Sequence, residues 1–114
     1  MKLQLEDVGE TIASRELSLL NSTGSPSEVR VLLGKPKHLP DRDDFYCPYQ
    51  IKGAGTETVR FTCGIDAFQA LLLAIRSLAG DIEVLNQALE GNLRWEGDEK
   101  GWLGFPKRLD LDWP

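Results

Sequence analysis

FYCPYQIKGAGTETVRFTCGIDAFQALLLAI, running from Phe45 to Ile75, holds two strand patterns, a turn and the opening of a helix in unbroken succession. In the first run Phe45, Cys47, Tyr49 and Ile51 alternate with Tyr46, Pro48 and Gln50. In the second, Val59, Phe61, Cys63 and Ile65 alternate with Arg60 and Thr62. Alternation at period two marks a strand with one face buried. The glycines of KGAGTE predict a hairpin loop longer than the tightest kind. Pro48 cannot donate to a ladder, so it predicts an edge, a bulge or a missing bond at that point. Matching the two apolar faces pairs Ile51 with Val59, Tyr49 with Phe61 and Cys47 with Cys63. Both thiols would then face each other on the core face, as small buried hydrophobes or, in the alternative, as a redox switch or cross-strand disulfide.

Asp66 is placed to cap a helix. Its carboxylate can accept from the first-turn N–H groups, Gln69 completes a box-like D-x-x-Q pattern, and Ile65 can staple against Ala70. An apolar stripe follows at steps of three and four: Phe68, Leu71, Ile75, Leu78, Ile82, Leu85 and Leu89, widened by Leu72 and Ala79. The phase passes through Gly80, which predicts one helix from about Ala67 to Glu90, with Gly80 as the place where it would kink. At ~1.5 Å per residue such a helix is roughly 36 Å long, more than a short strand spans. Its second half is therefore expected to overhang the sheet and meet the C-terminal tail or a partner. The same spacing permits a coiled coil, but a helix that follows a hairpin directly points to a sheet-packed one.

Upstream, residues 1–11 are polar and weakly patterned. A loose alternation begins at Ile12, with Leu17 and Leu19 on one side and Glu16 and Ser18 on the other. NSTGSPS, Asn21 to Ser27, is turn chemistry. EVRVLLG is a clear strand, with Val29, Val31 and Leu33 facing one way and Glu28, Arg30 and Leu32 the other. Gly34 and Pro36 end it, and Lys37 to Asp44 reads as a charged loop. Downstream, residues 91–114 hold all three tryptophans, Trp95, Trp102 and Trp113. NLRW and WLGF flank EGDEKG, which suits a short hairpin or a paired extended segment. Trp95, Trp102 and Phe105 either cover a bare part of the core or form a recognition surface, since Trp is enriched in binding hot spots. Asp110, Asp112, Trp113 and Pro114 are expected to fray.

The totals narrow the chemistry. A chain of 114 residues reads as one domain, with a core at about 12–90 and a tail at 91–114. Its 18 acidic against 13 basic residues give a net charge of −5, which disfavours nucleic acid and anionic membranes and suits a basic protein partner. There is no apolar leader and no run long enough to span a bilayer, so a cytoplasmic protein with free thiols is expected. The single histidine, His38, has no second histidine with which to hold a metal, and the two cysteines are not a C-x-x-C pair. Asp41, Asp43 and Asp44 lack the frame and closing Glu of a calcium loop. No nucleophile elbow, phosphate loop, dinucleotide fingerprint or zincin motif is present, so neither a cofactor nor catalysis is expected.

CPYQI (Cys47 to Ile51) and GIDAFQALLLAI (Gly64 to Ile75), preceded by RELSLL (Arg15 to Leu20) and VRVLLGKP (Val29 to Pro36), resemble a small uncharacterised bacterial family of unknown function. The resemblance runs from about Arg15 to Leu89 and implies a strand, strand, strand, helix core without assigning site residues. WLGFP, Trp102 to Pro106, is similar to the ending of small immunity proteins that neutralise bacterial toxins.

These readings combine into an α+β fold. An antiparallel meander of about four strands carries one long helix on one face, and the tail adds a strand, a hairpin or an apolar patch. The other sheet face would show Arg30, Arg60, Tyr46, Gln50 and Thr62. The expected function is a non-enzymatic protein-interaction domain, an immunity-type inhibitor being one form of it, with Trp95, Trp102, Phe105 and Tyr46 as interaction residues. The partner would be a basic protein or a second copy of the chain. The alternatives are a small-ligand binder with a pocket lined by Tyr46, Tyr49 or Trp95, and a homodimeric accessory subunit docking through Ile82 to Leu89.

Overall fold

A computed structural model describes residues 3–22, 24–55, 57–96 and 98–105. The elements are β1 (Thr11–Leu19), β2 (Ser27–Gly34), β3 (Lys37–His38), β4 (Phe45–Lys52), β5 (Arg60–Gly64), α1 (Ala67–Ala88) and β6 (Leu93–Arg94). They form an α+β fold: one antiparallel sheet of six strands with the helix laid on one face. β1 pairs β2, β2 pairs β4 and β4 pairs β5, so the four long strands follow chain order as a meander. β6 pairs the outer side of β1 through Ser18 with Arg94 and Leu19 with Leu93, so the tail contributes a strand. WLGF forms no strand, and the hairpin alternative for the tail falls. Pro106 and residues 107–114, Trp113 among them, lie outside the described residues.

The loop expected at Lys37 begins with a short strand. β3 pairs Lys37 with Tyr46 and His38 with Phe45, on the same side of β4 as β2. The ladder from β2 ends at Tyr49, that from β3 begins at Tyr46, and the break between them falls opposite Cys47 and Pro48. Pro48 thus sits in a central strand where that side of the ladder asks nothing of it. The Gly34 carbonyl at the break accepts from Cys47 Sγ at 3.3 Å.

The register of the β4–β5 hairpin differs from expectation by one residue. The pairs are Tyr46 with Cys63, Cys47 with Thr62, Pro48 with Phe61 and Tyr49 with Arg60. A one-residue slip turns every side chain of β5 over. Arg60 and Thr62 therefore face the helix, while Phe61 and Cys63 join Tyr46 and Pro48 on the opposite face. The slip is supported by polar partners: Thr62 Oγ1 donates to the Ala70 carbonyl at 2.8 Å, and Arg60 reaches Asp81. Phe61 meets Tyr46 edge-on at 6.1 Å between ring centres. Cys47 is fully buried and Cys63 exposed, so the thiols do not confront each other.

α1 starts as its sequence dictates. Gln69 N–H donates to Asp66 Oδ1 at 2.8 Å, and Gln69 Oε1 accepts from Ile65 N–H at 2.7 Å, a reciprocal capping box. Ile65 itself does not staple; it points to solvent. The buried helix line is Ala70, Ala74, Leu78 and Ile82, rotated from the expected stripe at its start, so Phe68 is exposed. The reason is proximity. α1 crosses β5 so closely that a Cβ on Gly64 would strike Ala70 N, and the two fully buried residues in the first half of the helix are alanines, Ala70 and Ala74. Gly91 N–H bonds Asn86 O at 2.7 Å, and Asn86 Oδ1 accepts from Leu93 N–H, which steers the chain into β6.

Leu17, Val29, Val31, Leu33, Cys47 and Tyr49 meet the helix in the core, joined by Leu93 and Leu103 from the tail. Ile82 is buried, and Leu85 and Leu89 pack against this core, so the second half of α1 does not overhang as a bare stripe. The opposite face also carries weight: Leu32, Pro48 and Gln50 are buried, so β4 is covered on both sides. Part of that cover is Val8, from a segment read as merely polar; it is buried against Gly34 beside Pro48.

Candidate functional site

Three surface regions gather side chains of chemical interest, and the expected interaction residues divide between two of them. The first lies at the β1–β6 end. Arg15 stands opposite Val31 on the helix face of β1. Its guanidinium lies 4.2 Å from the centre of the Trp95 ring and 4.6 Å from that of Phe105, a cation between two aromatic faces. Nη1 also donates to the Leu103 carbonyl at 3.1 Å. Trp102 meets Trp95 edge-on at 5.3 Å and keeps 56 % of its surface exposed. Trp95 and Phe105 are half-buried against the core, so they cover part of it beside β1. Trp102 alone of this group presents most of its ring to solvent. Arg15 escaped notice in the sequence, although its place two residues before Leu17 puts it on the inner face.

The second region is the free edge of β5. β5 pairs only with β4, leaving its outer edge without a strand among the described residues. At the end of that edge Ile65 and Phe68 are each 77 % exposed. Cys63 is exposed beside them, and Tyr46 with Phe61 borders the patch from the outer sheet face. Tyr46 therefore belongs here, apart from the tryptophans. No lysine blunts the edge, the usual device against unwanted strand addition.

The third region is a groove of about 470 Å³ between the second half of α1 and the β4–β5 hairpin. Asp81, Val84, Leu85 and Ala88 form one wall; Tyr49, Ile51, Ala54 and Arg60 stand on the other. The Tyr49 hydroxyl donates to Asp81 Oδ2 at 3.0 Å, and Arg60 Nη1 donates to the same oxygen at 3.3 Å. Burial, the bond to Asp81 and the carboxylate charge push the Tyr49 hydroxyl up to about 12. Burial alone pushes the nearby Cys47 thiol up to about 11, so that thiol is held protonated and unreactive. A pocket lined by Tyr49 with convergent polar groups thus exists, assembled by Asp81 from a helix position that carried no signal in the sequence. The buried Gln50 braces the hairpin, its Nε2 donating to the Glu57 carbonyl at 2.6 Å. No helix among the described residues is long and apolar enough to cross a membrane.

No curated protein and no solved structure matches the chain. A family model does, over residues 13–107, which takes in the meander, the helix, the Arg15 sandwich and the groove: the chain belongs to the domain of unknown function family DUF6968.

Proposed function

We propose that this chain is a non-enzymatic protein-interaction domain that docks through the free edge of β5. The observation that supports this is the pair Ile65 and Phe68, each 77 % exposed, at the end of a strand whose outer edge has no partner among the described residues. Covering one such side chain stabilises a complex by roughly 1.5–3 kcal/mol, and an added strand supplies backbone hydrogen bonds beside it. The net charge of −5 favours a basic partner, and an immunity-type inhibitor of a basic toxin is the form of this reading that combines charge with size. A homodimeric accessory subunit would use the same edge against a second copy of the chain.

Light scattering over a concentration series, together with paired capture by wild type and by Phe68→Glu and Ile65→Glu variants, tests the proposal. A dimer, or a stoichiometric protein, present with wild type and lost with both variants supports it. Both positions are exposed, so the variants should unfold at the wild-type temperature. A wild type that stays monomeric and retains nothing that the variants do not also retain overturns the reading.

A further inference from the structure

We infer that the groove between α1 and the β4–β5 hairpin binds a small amphiphile with an anionic head, a medium-chain carboxylate being the simplest case. This goes beyond protein docking and uses a different face of the molecule. The walls supply the apolar half of the argument. Ile51, Ala54, Leu85 and Ala88 line the groove, and Val84 stands 66 % exposed at its rim, an apolar surface that a bound chain would cover. The volume of about 470 Å³ falls within the range of small-molecule sites, ~300–1,000 Å³.

The polar half fixes the sign of the head group. Among the described residues that line it, the groove holds one cation, Arg60, and one anion, Asp81. Asp81 Oδ2 already accepts from both Tyr49 and Arg60, and the Asp81 side chain is only 31 % exposed. Arg60 engages Asp81 through Nη1, and its side chain is 64 % exposed. A guanidinium has five N–H donors in a planar fork, so the outward-facing group is a donor with capacity remaining. Asp81, itself held by the buried Tyr49 hydroxyl, orients that fork toward the mouth of the groove. A carboxylate head meets it with charge-assisted bonds while the chain lies along Val84 and Leu85.

The test is titration calorimetry of the full chain with decanoate, decanol and decyltrimethylammonium, each below its aggregation limit. Decanoate should bind about tenfold or more tightly than decanol, the factor that one charge-assisted hydrogen bond supplies. Arg60→Gln should bring decanoate down to the affinity of decanol and leave decanol unchanged. Val84→Trp, which fills the groove from its exposed rim, should abolish binding of both; Ala88→Leu is the second filling variant if the first unfolds. Absence of saturable decanoate binding, equal affinity for the three probes, preference for the cation, or binding that survives both filling variants would overturn the assignment.

Discussion

Arg15 shows how one side chain closes a structure. Its guanidinium joins β1 to the tail by stacking between Trp95 and Phe105 and bonding the Leu103 carbonyl. Gly104 is required beside it, because its backbone has φ +80° and a Cβ there would strike Arg15 Nη1 and the Trp95 ring. Arg15→Ala should therefore cost about 2 kcal/mol in urea unfolding, from the lost cation–π contacts and hydrogen bond, and should raise the exposure of Trp95 in quenching measurements. The two raised acids make a second residue-scale prediction. The Cys47 thiol moves from 9.0 to about 11 and the Tyr49 hydroxyl from 10.0 to about 12 on folding. The folded state keeps protons that the unfolded chain releases, so this contribution is complete below about pH 9 and is lost as pH rises toward 12. Melting temperatures should fall across that window, and the fall should be shallower in Cys47→Ala and in Tyr49→Phe. Alkylation should label the exposed Cys63 and spare Cys47 in the native protein.

At the scale of elements, α1 is the part most fully written in the sequence. The cap at Asp66, the return bond from Gln69 and passage through Gly80 all follow from local patterns. Asp66→Ala should cost about 1 kcal/mol, read as a lowered unfolding midpoint. Gly80 is exposed, and nothing lies within 4 Å of a Cβ placed on it, so Gly80→Ala should stabilise by about 0.5–1 kcal/mol. Gly64→Ala should do the reverse and unfold the protein at lower denaturant, since the new methyl would push the first turn of α1 off β5. Periodicity missed the rotation at the start of the helix. It weighs Phe68 above Ala70 by hydrophobicity, whereas the close crossing selects for small size.

For the whole molecule, the question is which surfaces stay open. Among the described residues β6 and the tail line the outer side of β1 and Val8 covers part of the outer face near Pro48, while the β5 edge and the hairpin groove stand open. If β5 is the docking edge, an association that also draws on the net charge of −5 should weaken between 50 and 500 mM salt, roughly as exposed charges are screened, while its Phe68 dependence persists. Equilibrium centrifugation of the complex at the two ionic strengths checks both parts. The aromatic surplus of Trp95, Trp102, Phe105 and Tyr46 was visible in the sequence. Their division into a Trp95–Phe105 sandwich and a separate Tyr46–Phe61 patch was not, because sequence distance says nothing of which end of a sheet a residue occupies.

Sequence alone determined how many long strands there are and where each lies along the chain, the single capped helix and the inner face of β2, because each rests on local periodicity or local hydrogen bonding. Tertiary structure decided the register of β5, and with it the fates of Cys63, Arg60 and Thr62. Both registers put apolar residues on an apolar face, since β4 is buried on both sides. The choice fell to contacts between β5 and α1, Thr62 with Ala70 and Arg60 with Asp81, that only the seated helix could offer.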